Sequence, residues 1–179
     1  MQEQNNAMSW ADDTYALFKA YHINMISFVP DGGHKRLIEL CQSDLDMRTV
    51  TLTTEEEGVA FAAGAFLGGK RTVLLMQSSG VGNCINMLSL PNICNMPLLA
   101  LITTRGEWGE FNPWQVPMGQ STQTVLEASG VIVYRANTAE EVCSMIEAAI
   151  QLVFQSRCRV AVLLSQRLLG AKNFAGGEK

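Results

Sequence analysis

Three neighbouring carboxylates, Glu55, Glu56 and Glu57, stand at the head of a segment made mostly of Gly and Ala. Read by position alone, acidic residues there complement a helix dipole. A carboxylate at the head of a closely packed helix can also be buried, which raises its pKa and suits it to proton exchange. Downstream, Gln77-Ser78-Ser79-Gly80-Val81-Gly82 is a polar, glycine-rich stretch whose backbone amides could hold an anion. It is not a dinucleotide fingerprint, because Ile85 stands where the third glycine is needed, and no GK[ST] follows. The stretch 105–118, RGEWGEFNPWQVPM, gathers Arg105, two glutamates and three large aromatics in one loop. The Arg105 fork suits a carboxylate, phosphonate or sulfonate, and the aromatics suit an interface. His34, behind a Gly32-Gly33 turn, reads as an exposed first-turn residue or a proton relay, and His22 as structural.

These groups need a scaffold. Apolar runs at 23–29, 49–53, 72–76, 97–103, 131–135 and 159–164 predict six strands. Helices are expected over 9–22, from 34 to 41, and over 55–67, 83–92, 119–129 and 138–155. Runs such as VLLM, LLALI and VAVLL lack alternation, as in strands buried on both faces. The expected fold is α/β and doubly wound: one domain over 1–179 with a six-stranded, mostly parallel sheet and helices on both faces. Residues 1–8 and 171–179 read as tails, the second as an arm onto a partner. Ligand chemistry in such sheets sits beyond the carboxyl ends of the strands. The loops at 30–34, 77–82 and 105–118, with Glu55-Glu56-Glu57, fall on that edge.

Composition removes several classes. The net charge is −4 with no basic block, which speaks against nucleic-acid and anionic-membrane binding. No run of ~20 apolar residues predicts a membrane span. Five cysteines without a CxxC pair and only two histidines give no metal-ligand pattern, and point to a reduced, cytoplasmic chain. The opening MQEQNNAMSWADD reads as neither signal nor transit peptide.

The stretch TEEEGVAFAAGAFLGGK resembles the glutamate helix of the pyrimidine-binding (Pyr) domain of thiamine-diphosphate enzymes. Glu56 falls on that family's glutamate, followed by Gly58, Ala60, Ala62 and Ala63. QSSGVGN is similar to the family's SGPG loop, with Val81 in place of proline. VPDGGHKRLI, MQSSGVGNCIN and RGEWGEFNPWQVPMG narrow the likeness to the sulfopyruvate and phosphonopyruvate decarboxylase branch. The resemblance implies that Glu56 hydrogen-bonds N1′ of the cofactor's aminopyrimidine and so promotes loss of the thiazolium C2 proton. It implies cofactor contacts at Ser79, Gly80 and Gly82, acid–base roles for Asp31 and His34, and substrate contacts from Arg105 and Gln115. The family's Mg²⁺-binding GDG motif does not occur here. The resemblance therefore implies half an enzyme, with Mg²⁺ and the diphosphate held by a GDG-bearing PP-domain β subunit in an α2β2 or larger heteromer. The implied substrate is a small 2-oxo acid, 3-sulfopyruvate or phosphonopyruvate. Acetolactate-synthase-like carboligation, a non-catalytic Pyr-like regulatory module and a nucleotide-binding domain are the other readings.

Overall fold

The computed structural model describes residues 9–170; both expected tails lie outside the described residues. The chain runs α1 (Trp10–Ala20), β1 (Ile23–Phe28), α2 (Lys35–Ser43), β2 (Arg48–Thr51), α3 (Glu55–Leu67), β3 (Arg71–Gln77), α4 (Ser78–Cys84), α5 (Ser89–Ile93) and β4 (Leu98–Thr103). A 3-10 turn (Pro113–Gln115) then leads into α6 (Val116–Ala128), β5 (Ile132–Ala136), α7 (Ala139–Ser156), β6 (Arg159–Leu164) and the short α8 (Gln166–Leu169).

The six strands form one sheet in the order β2-β1-β3-β4-β6-β5. Every pairing is parallel, so the expected "mostly parallel" sheet is wholly so. Parallel strands need covered faces, and two helical layers supply the cover. Phe18 of α1, Leu37 and Cys41 of α2, and Ile146, Ile150 and Val153 of α7 pack on one face. Val59 and Ala62 of α3, Val81 and Cys84 of α4, and Leu126 of α6 pack on the other. β4 is buried along its whole length, as expected of LLALIT in a central strand, whereas the edge strands β2 and β5 are half-exposed.

The helix ends explain themselves. Ser9 caps α1 by accepting from Asp12 N, and His22, at φ 57°, turns the chain straight into β1. Thr138 and Glu141 form a capping box on α7, which ends at Arg157 in a left-handed conformation.

One element differs from expectation. The helix expected from 83 starts five residues earlier, inside the glycine-rich stretch. That stretch is itself helical, and α4 begins at Ser78 directly after β3. Gly80 and Gly82 are there for close packing: a Cβ on Gly80 would lie 2.4 Å from the Glu55 side chain, and one on Gly82 3.2 Å from Met118 Sδ. The helical content of 83–92 is split between the end of α4 and α5.

Candidate active site

From β1 the chain turns one way to β2, and from β3 the other way to β4. That reversal opens a crevice beyond the carboxyl ends of β1 and β3. Asp31 sits in it, with a side chain 6% exposed. Its carboxylate accepts from Thr103 Oγ1 at 2.6 Å, Gln77 Nε2 at 3.1 Å and Gly33 N at 3.2 Å, so it ties together the ends of β1, β3 and β4. His34 Nδ1 stands 3.5 Å from Asp31 Oδ2. Burial works to raise the Asp31 carboxyl, but His34, Thr103 and the Gly33 amide outweigh it and hold it below the ordinary carboxylate range.

His34 is fully buried, which corrects the expectation of an exposed first-turn residue. The physical reason is the Gly32-Gly33 turn. A Cβ on Gly33 would come within 2.6 Å of Thr103 Cγ2. That close approach folds the head of α2 under the strand ends and carries the imidazole inside.

The three glutamates at the head of α3 part company, because successive helical residues point about 100° apart. Glu55 is buried, accepts from Asn83 Nδ2 at 2.8 Å and packs against Gly80. Glu57 folds back to accept from Thr53 N at 2.9 Å. Glu56 is exposed and has no hydrogen-bond partner among the described residues. It heads an exposed stripe that continues through Ala60 and Gly64 to Leu67. A Cβ on Gly64 would meet nothing within 4 Å, so at that point the stripe is bare among the described residues. The opposite side of α3 is packed so tightly that a Cβ on Gly58 would lie 2.3 Å from Leu74 Cδ1.

The 105–115 loop is strapped from inside. Arg105 Nε donates to Glu110 Oε2 at 2.6 Å, and Nη2 donates to Glu110 Oε1. Both side chains are largely buried, and Phe111 lies under the guanidinium at 5.5 Å. Arg105 lowers the Glu110 carboxyl to about 2. Gln166 Nε2 donates to Glu110, while Gln166 Oε1 accepts from the amides of Glu107 and Trp108. Glu107 bonds Thr104, Gln166 N and Arg135. The loop's charged residues thus serve first to hold one another. Trp108, Phe111 and Trp114 are left exposed on its outside. Gln115 Oε1 is buried without a hydrogen-bond partner among the described residues.

The fold therefore brings Asp31, His34, Gln77, Ser79 and Arg105 to one edge, with Ser79 Oγ donating to Gln77 Oε1 at 2.9 Å. Gly80 and Gly82 serve packing within the chain. Sequence reasoning passed over Gln77, Thr103 and Gln166. Each is a polar residue at the end of an apolar strand or just beyond it, and that position was the available signal. Among the described residues no group of three His, Cys, Asp or Glu side chains could hold a metal ion, and no helix is long and apolar enough to cross a membrane.

No family model matches the chain. Among solved structures it superposes on 2-oxoglutarate:ferredoxin oxidoreductase from Magnetococcus marinus with a TM-score of 0.70 at 15% identity. It also superposes on a protein described as a thiamin diphosphate-dependent enzyme from Mycobacterium smegmatis, with a TM-score of 0.72 at 19% identity. The match covers 96% and 97% of this chain, respectively, and 34% of each of those chains, and it shows the fold. Sequence relatives are nearer. Sulfopyruvate decarboxylase subunit alpha of Methanococcus maripaludis is 34% identical over 158 residues, which are 88% of this chain and 95% of the relative. The subunit of the same name from Methanocaldococcus jannaschii is 35% identical over 83% of this chain and 89% of its own. Phosphonopyruvate decarboxylase of Streptomyces viridochromogenes is 35% identical over 67% of this chain but only 31% of its own length. The names of the first two imply a partner subunit in those proteins. A Pyr-type sheet, a glutamate helix laid open to the outside and near end-to-end likeness to these subunits agree: the chain belongs to the family of sulfopyruvate decarboxylase alpha subunits.

Proposed function

We propose that this chain is the cofactor-activating half of a two-chain decarboxylase that converts 3-sulfopyruvate to sulfoacetaldehyde and CO2. The observation that carries the reading is Glu56: alone among the three head-of-helix carboxylates it is both exposed and without a hydrogen-bond partner among the described residues, and it heads an exposed small-residue stripe. A helix face of that kind admits another backbone closely, and a carboxylate at its head then passes from water into an interface.

Thiamine diphosphate fits this arrangement at its pyrimidine end, where a free carboxylate oxygen of Glu56 can accept from the ring N–H. When bound, the cofactor supplies the electron sink for loss of CO2. Glu56 orients the ring and exchanges the proton at that nitrogen. Covering by a partner takes the carboxylate out of water and holds it against the ring, which suits the exchange. Ser79, at the start of α4, faces the same edge, while Gly80 and Gly82 let α4 lie close to Glu55 and Met118. Asp31 and His34 stand 3.5 Å apart as a buried carboxylate–imidazole pair behind the Gly32-Gly33 turn, placed for the acid–base roles of this reading. Gln115 Oε1, buried without a partner among the described residues, is the atom this reading gives to the substrate, and Arg105, with Nε and Nη2 taken by Glu110, sets the shape of the loop. In this reading Mg²⁺ and the diphosphate belong to a GDG-bearing β subunit, in an α2β2 or larger assembly, because this chain has no GDG motif of its own.

The test is CO2 release by this chain mixed with its partner, Mg²⁺ and thiamine diphosphate, with 3-sulfopyruvate, phosphonopyruvate and pyruvate compared. Turnover that needs both chains and Glu56 supports the reading. Complex formation without turnover of any acid points instead to a regulatory module. The likeness to phosphonopyruvate decarboxylase keeps phosphonopyruvate as the second substrate.

A further inference from the structure

A groove of about 460 Å³ runs beside α2, past the carboxyl ends of β1 and β2. Its floor is apolar, from Phe28 and Ile38, and Asp31 stands at one end. Thr51 lines it four residues before α3 begins, so it opens on the edge that carries Glu56. Lys35 and Glu39 line its wall one helical turn apart, with Nζ and Oε1 3.9 Å from each other.

The cations of this edge differ in how far they are already satisfied. Arg105 is clamped by Glu110, Arg135 by Glu107 and Arg36 by Asp12. Arg167 lines a separate pocket near the end of β6 together with Glu107. Among the described residues Lys35 has only the loose contact with Glu39, and its side chain is 75% exposed. An ammonium on a flexible stem offers three donors to a tetrahedral oxyanion and needs no fixed fork.

We infer that this groove is the subsite for the distal oxyanion of the substrate, with Lys35 as its cation and Glu39 as the group that selects a singly charged head. The inference rests on the decarboxylase reading above. A sulfonate carries one charge. A phosphonate near neutral pH carries close to two, much as a phosphate ester does. Two carboxylates, Glu39 and Asp31, line the groove with the one ammonium, so a singly charged head is accommodated and the surplus charge of a doubly charged one is repelled, and the discrimination comes from a repulsive element as much as from an attractive one. The apolar floor suits the methylene between the oxyanion and the keto carbon.

The experiment uses the complex of this chain with its partner, loaded with cofactor. It measures kcat and KM on 3-sulfopyruvate and phosphonopyruvate, and inhibition by 3-sulfopropanoate, which lacks the keto group. Lys35→Met should raise the sulfopyruvate KM and weaken 3-sulfopropanoate about tenfold or more while kcat stays within about threefold, as for loss of uniform binding. Lys35→Arg should restore most of the affinity. Glu39→Gln should narrow the preference for the sulfonate over the phosphonate by about fivefold. A Lys35→Met complex with KM and inhibition within twofold of the wild type, while the wild type turns over, overturns the subsite and leaves the decarboxylase reading standing. A wild-type complex that turns over no 2-oxo acid overturns that reading, and the subsite with it.

Discussion

Glu55 and Gly80 are packed face to face, so that a Cβ at position 80 would lie 2.4 Å from the carboxyl carbon of Glu55. The contact seats the head of α3 against α4. Asn83, one turn further along α4, completes it by donating to the same carboxylate. Gly80→Ala should push Glu55 off Asn83 and lower stability by about 1–3 kcal/mol, the usual range for overpacking. Denaturant titration of the isolated chain measures it, and an unchanged midpoint would show that Glu55 has room to move.

The parting of Glu55 from Glu56 predicts opposite phenotypes for the same chemical change. Glu56→Gln should leave the isolated chain's stability within about 0.5 kcal/mol, as for other exposed positions, and reduce decarboxylation by the assembled enzyme at least about 100-fold. Glu55→Gln should lower stability through its buried contacts and reduce turnover less. If Glu55→Gln is the dead and stable variant, the two roles are exchanged.

Gly64 gives a third contrast. Its position is open, so Gly64→Ala should stabilise the isolated chain by up to ~1 kcal/mol through helix propensity. The same methyl should hinder a partner that packs on the stripe and weaken association severalfold. Thermal melting and analytical ultracentrifugation read the two effects separately. Undiminished association would remove the stripe from the interface.

The Arg105–Glu110 pair makes stability depend on acid. Glu110 titrates at about 2 in the fold against an ordinary value of 4.5. Because the folded value is the lower one, the contribution of the pair is complete above about pH 4.5 and is lost as the pH falls towards 2. Glu110→Gln should cost about 3 kcal/mol at pH 7, as for one partner removed from a buried pair. The gap to the wild type should close as the pH is lowered. Urea unfolding at pH 7, 4 and 3 follows it; a gap that is constant with pH would mean that the loss is one of packing alone.

The strands were legible because a parallel sheet demands unbroken apolar runs, and LLALI and VAVLL are such runs whatever surrounds them. The close packing of α3 was legible too, from the small residues that follow the glutamates. Which carboxylate faces in was not. That is decided by the helix phase relative to Gly80 and Asn83, some 25 residues downstream. His34 was misjudged for a similar reason: the close approach of Gly33 to Thr103 that buries it belongs to a different strand. In the 105–118 loop, the Arg105 fork suggested contact with a ligand. Only the folded loop shows that Glu107 and Glu110 are consumed by Arg135, Gln166 and Arg105.

The ends of that loop meet. A Cβ on Gly119 would lie 1.7 Å from the Arg105 carbonyl oxygen, and one on Gly106 2.5 Å from that of Gln115. The segment is a closed ring, filled by its own ion pair and carrying its tryptophans outward. Ordering a mobile loop on association usually sacrifices part of the binding energy to lost freedom. Here most of that freedom is surrendered when the chain folds, before any partner arrives. Assembly should then proceed as the meeting of two finished surfaces, with little change in backbone amide exchange across 105–119 beyond the shielding of the residues that are covered.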